Sequence, residues 1–211
     1  LIEIGMIYMI NKIYILILIF ITSCANLNTT FSTSPFVPLI SDLFVGGESI
    51  ELSDEYISNQ PYSFVRADFG QGPNVIMVLQ KIENGFYTWT SEYQEKITTY
   101  NGKIVKTQGL MQNVEILNPS KFKYFSNSNN YIGEFNTLLK DPLAFIEQQF
   151  AISMIEQTET LLFEEKIYIE SLNQRYSNFY WLDGKTGQAV KTKQKIHPNL
   201  PTIRLDFIYK Y

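Results

Sequence analysis

The sequence contains few of the residues from which most metal and catalytic sites are built. Its 211 residues include one cysteine and one histidine. One cysteine excludes an internal disulfide, and one histidine excludes a histidine-rich metal site. His197 lies beside Pro198 in the segment KIHPNL, with no serine or cysteine motif near it. This context favours a surface-loop histidine over a general base. We therefore predict no metal ion and no other cofactor.

Basic runs, phosphate-binding loops and long apolar segments are also missing. The chain has 17 Lys and Arg against 21 Asp and Glu, a formal net charge of −4. Without a basic stretch, nucleic-acid binding is excluded. The segment GQGP lacks the spacing and the following helix of a dinucleotide site. The 45% hydrophobic and 15% aromatic residues indicate a globular protein, and the many Tyr and Phe residues favour a sheet.

The longest apolar run, residues 13–21, is too short to cross a membrane. As a helix it would rise about 14 Å at about 1.5 Å per residue. A bilayer core needs about 20 apolar residues. Lys12 precedes the run and Met9 is the first sensible start, so the pattern is typical of a signal peptide. We predict that residues 1–23 are upstream residues plus this signal peptide.

The segment ITSC, which ends at Cys24, resembles the bacterial lipobox. The resemblance implies that Cys24 receives a diacylglyceryl group, becomes the new amino terminus and carries a further fatty acid such as palmitate. Two or three acyl chains anchor a protein stably, because each buried CH₂ contributes about 0.8 kcal/mol. Ala25 follows instead of Asp, which by the sorting rules of lipoproteins implies the outer membrane. The alternative is a buried free thiol.

The residues after Cys24 divide into a tether and a domain. Residues 24–38 are rich in Ser, Thr and Asn and are predicted to be the lipid anchor and a flexible tether. Residues 39–211 are predicted to form a single β-rich domain that faces the periplasm.

Alternation and turn signals predict a mainly β domain. In SFVRADF, apolar residues alternate with polar ones, as in a half-buried strand. Asn84-Gly85 and Asn101-Gly102 each separate two strand-like segments, which predicts type I′ hairpins. Another hairpin is predicted to turn at residues 183–187. Together the segments predict an antiparallel, strongly twisted sheet forming a sandwich or barrel-like domain with one or two short helices.

The stretch DPLAFIEQQFAISMIEQTE fits two patterns. Asp141 is a suitable N-cap and proline follows it at the first helical position, which favours a short helix over residues 142–149. Phe150, Ile152 and Met154 alternate like a strand. We predict the helix and leave the structure of the following residues open.

Three blocks of the sequence together resemble the group 4 capsule polysaccharide lipoprotein family, also called the GfcB/YjbF family. They are LSDEYISNQPYSFVRADFGQGPNVIMVLQ, WTSEYQEKITTYNGKIVKTQGL and NFYWLDGKTGQAVKTKQKIHPNLPTI. The resemblance implies a mainly β lipoprotein encoded among genes for capsule or exopolysaccharide assembly and export. It implies no catalytic residues, and it is not evident over residues 118–174.

These observations lead to two functional hypotheses. The first is a non-enzymatic outer-membrane lipoprotein that assists capsule or exopolysaccharide assembly or export by contacting the glycan or the export machinery. Tyr180, Trp181 and Asp183 are the predicted contact residues, because aromatic rings with polar neighbours stack on sugars. Tyr180 and Trp181 would point to opposite faces of one strand, so at most one of them belongs to the core. A free strand edge could also recruit a protein partner.

The second hypothesis is a periplasmic enzyme that modifies or cleaves the glycan. Glycoside hydrolysis needs two carboxylates roughly 5 to 10 Å apart. The candidates are Asp183, Glu164, Glu165 and Glu170. For Asp183, Glu164 and Glu165, a structural role is favoured over a catalytic one. An Asp before Gly stabilises a turn, and Glu164 and Glu165 are most simply the solvated end of a strand.

Overall fold

The computed structural model describes residues 53–70, 73–110, 112–119, 130–140, 143–196 and 200–210. The predicted signal peptide, Cys24 and the tether lie outside these residues, as do Asp141, Pro142 and His197. The proposed division of the chain at residues 23 and 38 therefore stays a prediction.

The described ranges contain twelve β-strands, one α-helix and one 3₁₀ helix. The strands are β1 Phe64–Asp68, β2 Val75–Glu83, β3 Phe86–Thr90, β4 Lys96–Tyr100, β5 Lys103–Gln108, β6 Val114–Leu117, β7 Asn130–Lys140, β8 Leu143–Gln157, β9 Thr160–Ile169, β10 Gln174–Asp183, β11 Ala189–Gln194 and β12 Ile203–Ile208. Helix α1 spans Asp54–Asn59, and the 3₁₀ helix spans Glu170–Leu172. No helix in these ranges is long and apolar enough to span a bilayer.

The strands form a closed antiparallel barrel, which confirms the predicted fold class. Each strand pairs with its neighbours in sequence, and β1 also pairs with β12, closing the sheet. Side chains that alternate along each strand therefore point either into the barrel or out of it. Each of the twelve described strands has a partner on both sides, so none of them offers a free edge for strand addition.

The two predicted Asn-Gly hairpins are confirmed. Asn84 and Gly85 have φ angles of 52° and 82°, and Asn101 and Gly102 have φ angles of 49° and 79°, as a type I′ turn requires. The second turn also packs against the opposite wall of the barrel. A Cβ atom on Gly102 would lie 2.5 Å from the Cβ of Ala189 on β11. Gly102 is therefore needed both for its backbone conformation and for its lack of a side chain.

The helix predicted over residues 142–149 is wrong, because strand β8, Leu143–Gln157, occupies this part of the chain. It pairs with β7 along its length and with β9. Ile146, Gln148, Phe150 and Ile152 are buried inside the barrel, while the residues that alternate with them face outward. The alternation of apolar residues therefore indicates the correct structure here, and the local helix-start signal does not. The long strands on both sides of β8 satisfy the hydrogen bonds of its backbone.

The core contains the residues that alternation predicts. Val65, Ala67 and Phe69 are buried. Trp89 is buried and donates from its indole nitrogen to Thr99 Oγ1 at 3.0 Å. Tyr87 stacks on it with ring centroids 6.1 Å apart. These two rings share one strand face, as their spacing predicted.

The pairing of β5 with β6 is the sparsest in the barrel. Lys106 and Glu115 are the one pair of residues in register between these strands. Glu115 accepts from Lys106 at 3.0 Å and lies 2.8 Å from the ammonium of Lys140 on β7. The Lys140 contact is the main reason why the pKa of Glu115 falls below its ordinary value of 4.5, and Lys106 acts in the same direction. This triad links three strands where backbone pairing is sparse.

Candidate functional site

Strand β10 places the predicted contact residues Tyr180 and Trp181 on opposite faces of the sheet. Asn178, Tyr180 and Leu182 are buried inside the barrel, while Phe179 and Trp181 are partly exposed on its outer face. The strict alternation of the sequence NFYWLD along a paired strand produces this division. The two faces therefore present different side chains to different surroundings.

Inside the barrel, Tyr180 belongs to a buried polar cluster and is 1% exposed. Its hydroxyl donates to Glu165 Oε2 at 2.7 Å, and Asn178 Nδ2 donates to the same oxygen at 3.0 Å. The ammonium of Lys103 forms an ion pair with Glu165 and lies 4.2 Å from the centroid of the Phe135 ring. The ring of Tyr180 is consequently not available for stacking on a sugar.

The position of Glu165 corrects its interpretation as part of a solvated strand end. The residue is 0% exposed because it lies on the inward face of β9, between the buried Phe163 and Ile167. Lys103, its partner, was not singled out by the sequence. Burial lowers the pKa of Lys103, although the negative charge of Glu165 acts in the opposite direction. A buried ion pair of this kind is sustained by the extra hydrogen bonds to the carboxylate.

Gln194 extends the cluster across the barrel. Its Nε2 donates to the carbonyl oxygen of Gly102 at 2.7 Å and to Thr192 Oγ1 at 2.9 Å. Its Oε1 accepts from the backbone N–H of Ile104 at 2.9 Å. Gly102, Thr192 and Gln194 all belong to the motifs that carry the family resemblance. Their observed role is structural, because they join β11 to the Asn-Gly turn and to β5.

The cavity beside this cluster is too small for a sugar. Its volume is about 10 Å³, about the minimum that a single water molecule needs. On its wall, Tyr176 donates to Gln148 Oε1 at 2.9 Å, and Gln148 donates to Thr137 at 3.1 Å. Burial, and secondarily the charge of Glu165, raise the pKa of the Tyr176 hydroxyl. The interior thus satisfies its polar groups internally.

The outer face of the same strands carries an aromatic and basic surface. The rings of Phe179 and Trp181 lie side by side, with centroids 6.2 Å apart. Across the pairing with β11, Trp181 is opposite Lys191 and Phe179 is opposite Lys193. The ammonium of Lys191 lies 5.5 Å from the centroid of the Trp181 ring. We call Phe179, Trp181, Lys191 and Lys193 the aromatic–lysine platform.

A β-bulge adjoins this platform. The register between β10 and β11 shifts directly after Trp181, which leaves Val190 as the extra residue between Ala189 and Lys191. Bulges bend a strand and re-aim neighbouring side chains, and they are common beside functional sites. Here the bulge keeps Lys191 opposite Trp181 while Ala189 pairs with Leu182 inside.

Carboxylates close to the platform already have partners. Asp206, opposite Lys191 in the register with β12, binds Arg66 at 2.5 Å. Arg204, opposite Lys193, lies 3.3 Å from Asp68. Within the part of the chain that the structure describes, neither lysine of the platform forms an ion pair. Lys193 and Arg204 also place like charges directly opposite each other, an arrangement that disfavours pairing.

Asp183 is the last residue of β10, where the β10–β11 turn begins, and it has the structural role expected of an Asp before Gly. Its Oδ1 accepts from the N–H of Lys185 at 3.0 Å, from the N–H of Thr186 at 2.7 Å and from the hydroxyl of Thr186 at 2.9 Å. The bonds from Thr186 are the largest cause of the lowered pKa of the Asp183 carboxyl. Its predicted contact with a glycan or a partner stays a prediction.

The four candidate carboxylates are distributed over different parts of the barrel. Glu164 and Glu165 are successive residues of β9, one half-buried on the outer face and the other inside. Glu164 accepts from Ser177 Oγ at 2.8 Å. Glu170 begins the 3₁₀ helix that follows β9, whereas Asp183 is the last residue of β10, at the β10–β11 turn. Among the described residues, no three His, Cys, Asp or Glu side chains are placed to hold a metal ion.

Comparisons with known proteins agree with the motifs. The chain is similar to the uncharacterized lipoprotein GfcB of Escherichia coli K12, with 22% identity over 195 residues, covering 85% of this chain and 91% of that protein. The uncharacterized lipoprotein YjbF of the same strain is 32% identical over 66 residues, 31% of each chain.

A solved structure and a family model cover most of the chain. The crystal structure of the hypothetical lipoprotein YmcC from Escherichia coli K12 matches with a TM-score of 0.65 and 18% identity, covering 84% of this chain and 97% of that one. The model of the group 4 capsule polysaccharide lipoproteins GfcB and YjbF matches residues 39–208. This match includes residues 118–174, where the motifs showed no resemblance. The chain belongs to the group 4 capsule polysaccharide lipoprotein family.

Proposed function

We propose that this protein is a non-catalytic lipoprotein of the outer membrane that assists the assembly or export of a capsule polysaccharide or exopolysaccharide. Lipid on Cys24 would hold it at the membrane, with the β-barrel domain facing the periplasm. Family membership supports the link to capsule polysaccharide. The outward-facing aromatic–lysine platform is the observation that carries the proposed mode of action, which is contact with the glycan or with the export machinery.

The arrangement of Asp183, Glu164 and Glu165 favours binding over catalysis at these three carboxylates. Hydrolysis of a glycosidic bond needs two carboxylates converging on one cleft. Glu165 is enclosed with Lys103 and bonded by two further polar side chains, Asn178 and Tyr180. Glu164 points to the other side of the same strand. Asp183 is bound within its own turn. A partly exposed pair of aromatic rings on a sheet surface is instead typical of a contact surface.

Deletion of the gene tests the proposed process. We expect less polysaccharide outside the cell, and either retention inside or loss of the assembled polymer. Measurement of both fractions distinguishes export from assembly. Complementation with the native gene should restore the wild-type amounts, and complementation with the Trp181→Ala variant should not. Unchanged polysaccharide in the deletion strain would contradict the proposed function.

Substitution of Cys24 tests the anchor. The Cys24→Ser variant should lose incorporation of labelled palmitate and should move from the membrane fraction to the soluble periplasmic fraction. Ser34→Ala, in the predicted tether, is the matched control and should retain both the label and the membrane location. Continued labelling of Cys24→Ser would show that the lipid is attached elsewhere, and separation of inner and outer membranes tests the sorting prediction.

A further inference from the structure

We propose that the aromatic–lysine platform binds an acidic polysaccharide, that is, a glycan whose sugars carry carboxylate or equivalent anionic groups. This inference rests on the proposed function and adds the chemical class of the ligand. It depends on the rings of the platform, on its lysines and on the charges around them.

The two rings provide the surface for the sugar. Phe179 and Trp181 lie on the outward face of β10 with centroids 6.2 Å apart and an angle of 37° between their planes. Both are partly exposed. Sugar rings carry an apolar face of C–H groups that packs against aromatic rings, while their hydroxyl groups remain solvated. Two adjacent rings on one strand suit an extended chain of sugars that runs along β10.

The lysines provide the charge selectivity. Lys191 and Lys193 lie on the same outward face of β11, each opposite one of the two rings. The ammonium of Lys191 is 5.5 Å from the Trp181 centroid, so an anionic substituent on a stacked sugar could meet it at the edge of the ring. A neutral glycan would leave both charges without a partner.

The surrounding charges show that these lysines are not needed for ion pairs within the fold. The carboxylate in register with Lys191, that of Asp206, is bound to Arg66. The carboxylate in register with Phe179, that of Glu164, accepts from Ser177. The guanidinium of Arg204 lies 3.3 Å from Asp68. Lys193 and Arg204 then face each other as like charges across β11 and β12. Like-charge pairs oppose pairing of the strands, and an anionic ligand would relieve the repulsion. The chain has a net charge of −4, but this surface is locally basic. It therefore complements the charge of an acidic ligand.

The position of the rings favours a glycan over a membrane surface. Both rings belong to residues that are paired with a strand on each side, and both are only partly exposed. Insertion into lipid requires apolar side chains that project from the surface. Leu143 (76% exposed) and Phe145 (59% exposed), the most exposed apolar residues of β8, lie next to the β7–β8 turn and not on this platform.

Binding of defined polymers to the full chain tests the inference. The probes are polygalacturonate oligosaccharides, which are acidic, and dextran oligosaccharides, which are neutral. The chain has two tryptophans, and Trp89 is buried, so a ligand on the platform should change the fluorescence of Trp181 selectively. We expect saturable binding of polygalacturonate that weakens as salt is raised, and little binding of dextran.

Variants separate the two contributions. Trp181→Ala and the double variant Lys191→Gln/Lys193→Gln should each weaken polygalacturonate binding at least about fivefold, as residues central to an interface do. Polygalacturonate binding by the double lysine variant should also depend less on the salt concentration. The matched controls are Tyr93→Ala and Lys81→Gln, which alter exposed residues away from the platform and should leave binding unchanged. Binding by these variants is measured calorimetrically, since Trp181→Ala removes the fluorescent reporter.

Three results would overturn the inference. One is equal binding of dextran and polygalacturonate. Another is binding that survives both platform variants. The third is stronger, platform-dependent binding of phosphatidylglycerol vesicles, measured on the full chain with Cys24→Ser so that the anchor does not contribute. If polygalacturonate does not bind but deletion still blocks export, the ligand class is wrong and the proposed function stands. If binding behaves as expected and deletion changes nothing, the proposed function fails instead.

Discussion

The two faces of strand β10 use polar and aromatic side chains in opposite ways. On the inner face, the Glu165 carboxylate interacts with Lys103, Asn178 and Tyr180, and burial excludes solvent from all of them. On the outer face, Trp181 lies beside Lys191, which forms no ion pair with any described residue. Polar groups that satisfy one another stabilise a structure, whereas unpaired charges beside an exposed ring are available to a ligand. The comparison separates the residues that hold the barrel together from those that we expect to bind.

Breaking the buried ion pair should have the largest effect on stability. Lys103→Met leaves the Glu165 carboxylate buried without its cation, which should lower the free energy of unfolding by about 3–5 kcal/mol. Urea denaturation measures the change. The matched control is Lys81→Met, which breaks an exposed ion pair with Glu83 and should cost no more than about 1 kcal/mol. Equal losses for the two variants would show that the buried pair has no special role.

Adding a side chain at Gly102, in the second Asn-Gly turn, should have the next largest effect on stability. Gly102→Ala combines a strained positive φ angle, about 1–2 kcal/mol, with overpacking against Ala189, about 1–3 kcal/mol. We expect a loss of about 2–5 kcal/mol in total by urea denaturation. Gly187→Ala is the control, because it has a φ angle of 71° but nothing within 4 Å of the added Cβ. This control should lose only the stability that the strained φ angle costs. Similar losses at both glycines would therefore rule out a destabilising contact between the added Cβ at position 102 and Ala189.

Conservative substitutions of the two neighbouring aromatic residues should show the difference between the faces. Tyr180→Phe removes one donor to Glu165 and should cost about 1–2 kcal/mol of stability. Trp181→Phe keeps an aromatic ring on the outer face and should change stability by less than about 0.5 kcal/mol. Thermal and urea unfolding of both variants test this order. A larger loss from Trp181→Phe would contradict the assignment of the outer ring to binding.

The pH dependence that comes from Glu115 should be smaller than the loss expected for Tyr180→Phe. Its pKa is lower in the folded chain than its ordinary value of 4.5. The contribution to stability is therefore present above that value and is lost as the pH falls through the folded-state pKa. Since the carboxylate is partly solvated, the contribution should be at most about 1 kcal/mol. Glu115→Gln should remove this part of the acid dependence, whereas the same substitution at the exposed Glu159 should not.

The features that depend on neighbouring residues were predictable from the sequence. Asn-Gly accepts two positive φ angles, so the hairpins at Asn84 and Asn101 follow from two residues each. Alternation along SFVRADF and NFYWLD also gives the inward and outward faces, and hence the opposite directions of Tyr180 and Trp181. The mainly β fold class follows from the sum of these local patterns.

The features that depend on distant residues were not predictable in the same way. The helix-start signal before Leu143 is local, and the strand that replaces the helix depends on pairing with β7 and β9. Glu165 looked like a solvated residue because its cation, Lys103, is 62 positions away. The aromatic–lysine platform combines residues of β10 and β11. Trp181 was predicted from the sequence, whereas Phe179, Lys191 and Lys193 were found only from the structure.

The hydrogen bonds inside the barrel also limit the folding errors that β10 can make. If β10 shifted by one position against its neighbours, Trp181 would enter the interior and Tyr180 would face solvent. The same shift would separate the Tyr180 hydroxyl from Glu165 and leave a buried carboxylate short of donors. Such a misaligned chain is strongly disfavoured, because unsatisfied charge in a closed interior is costly. The enclosed polar groups thereby select the one alignment that keeps the tryptophan at the surface.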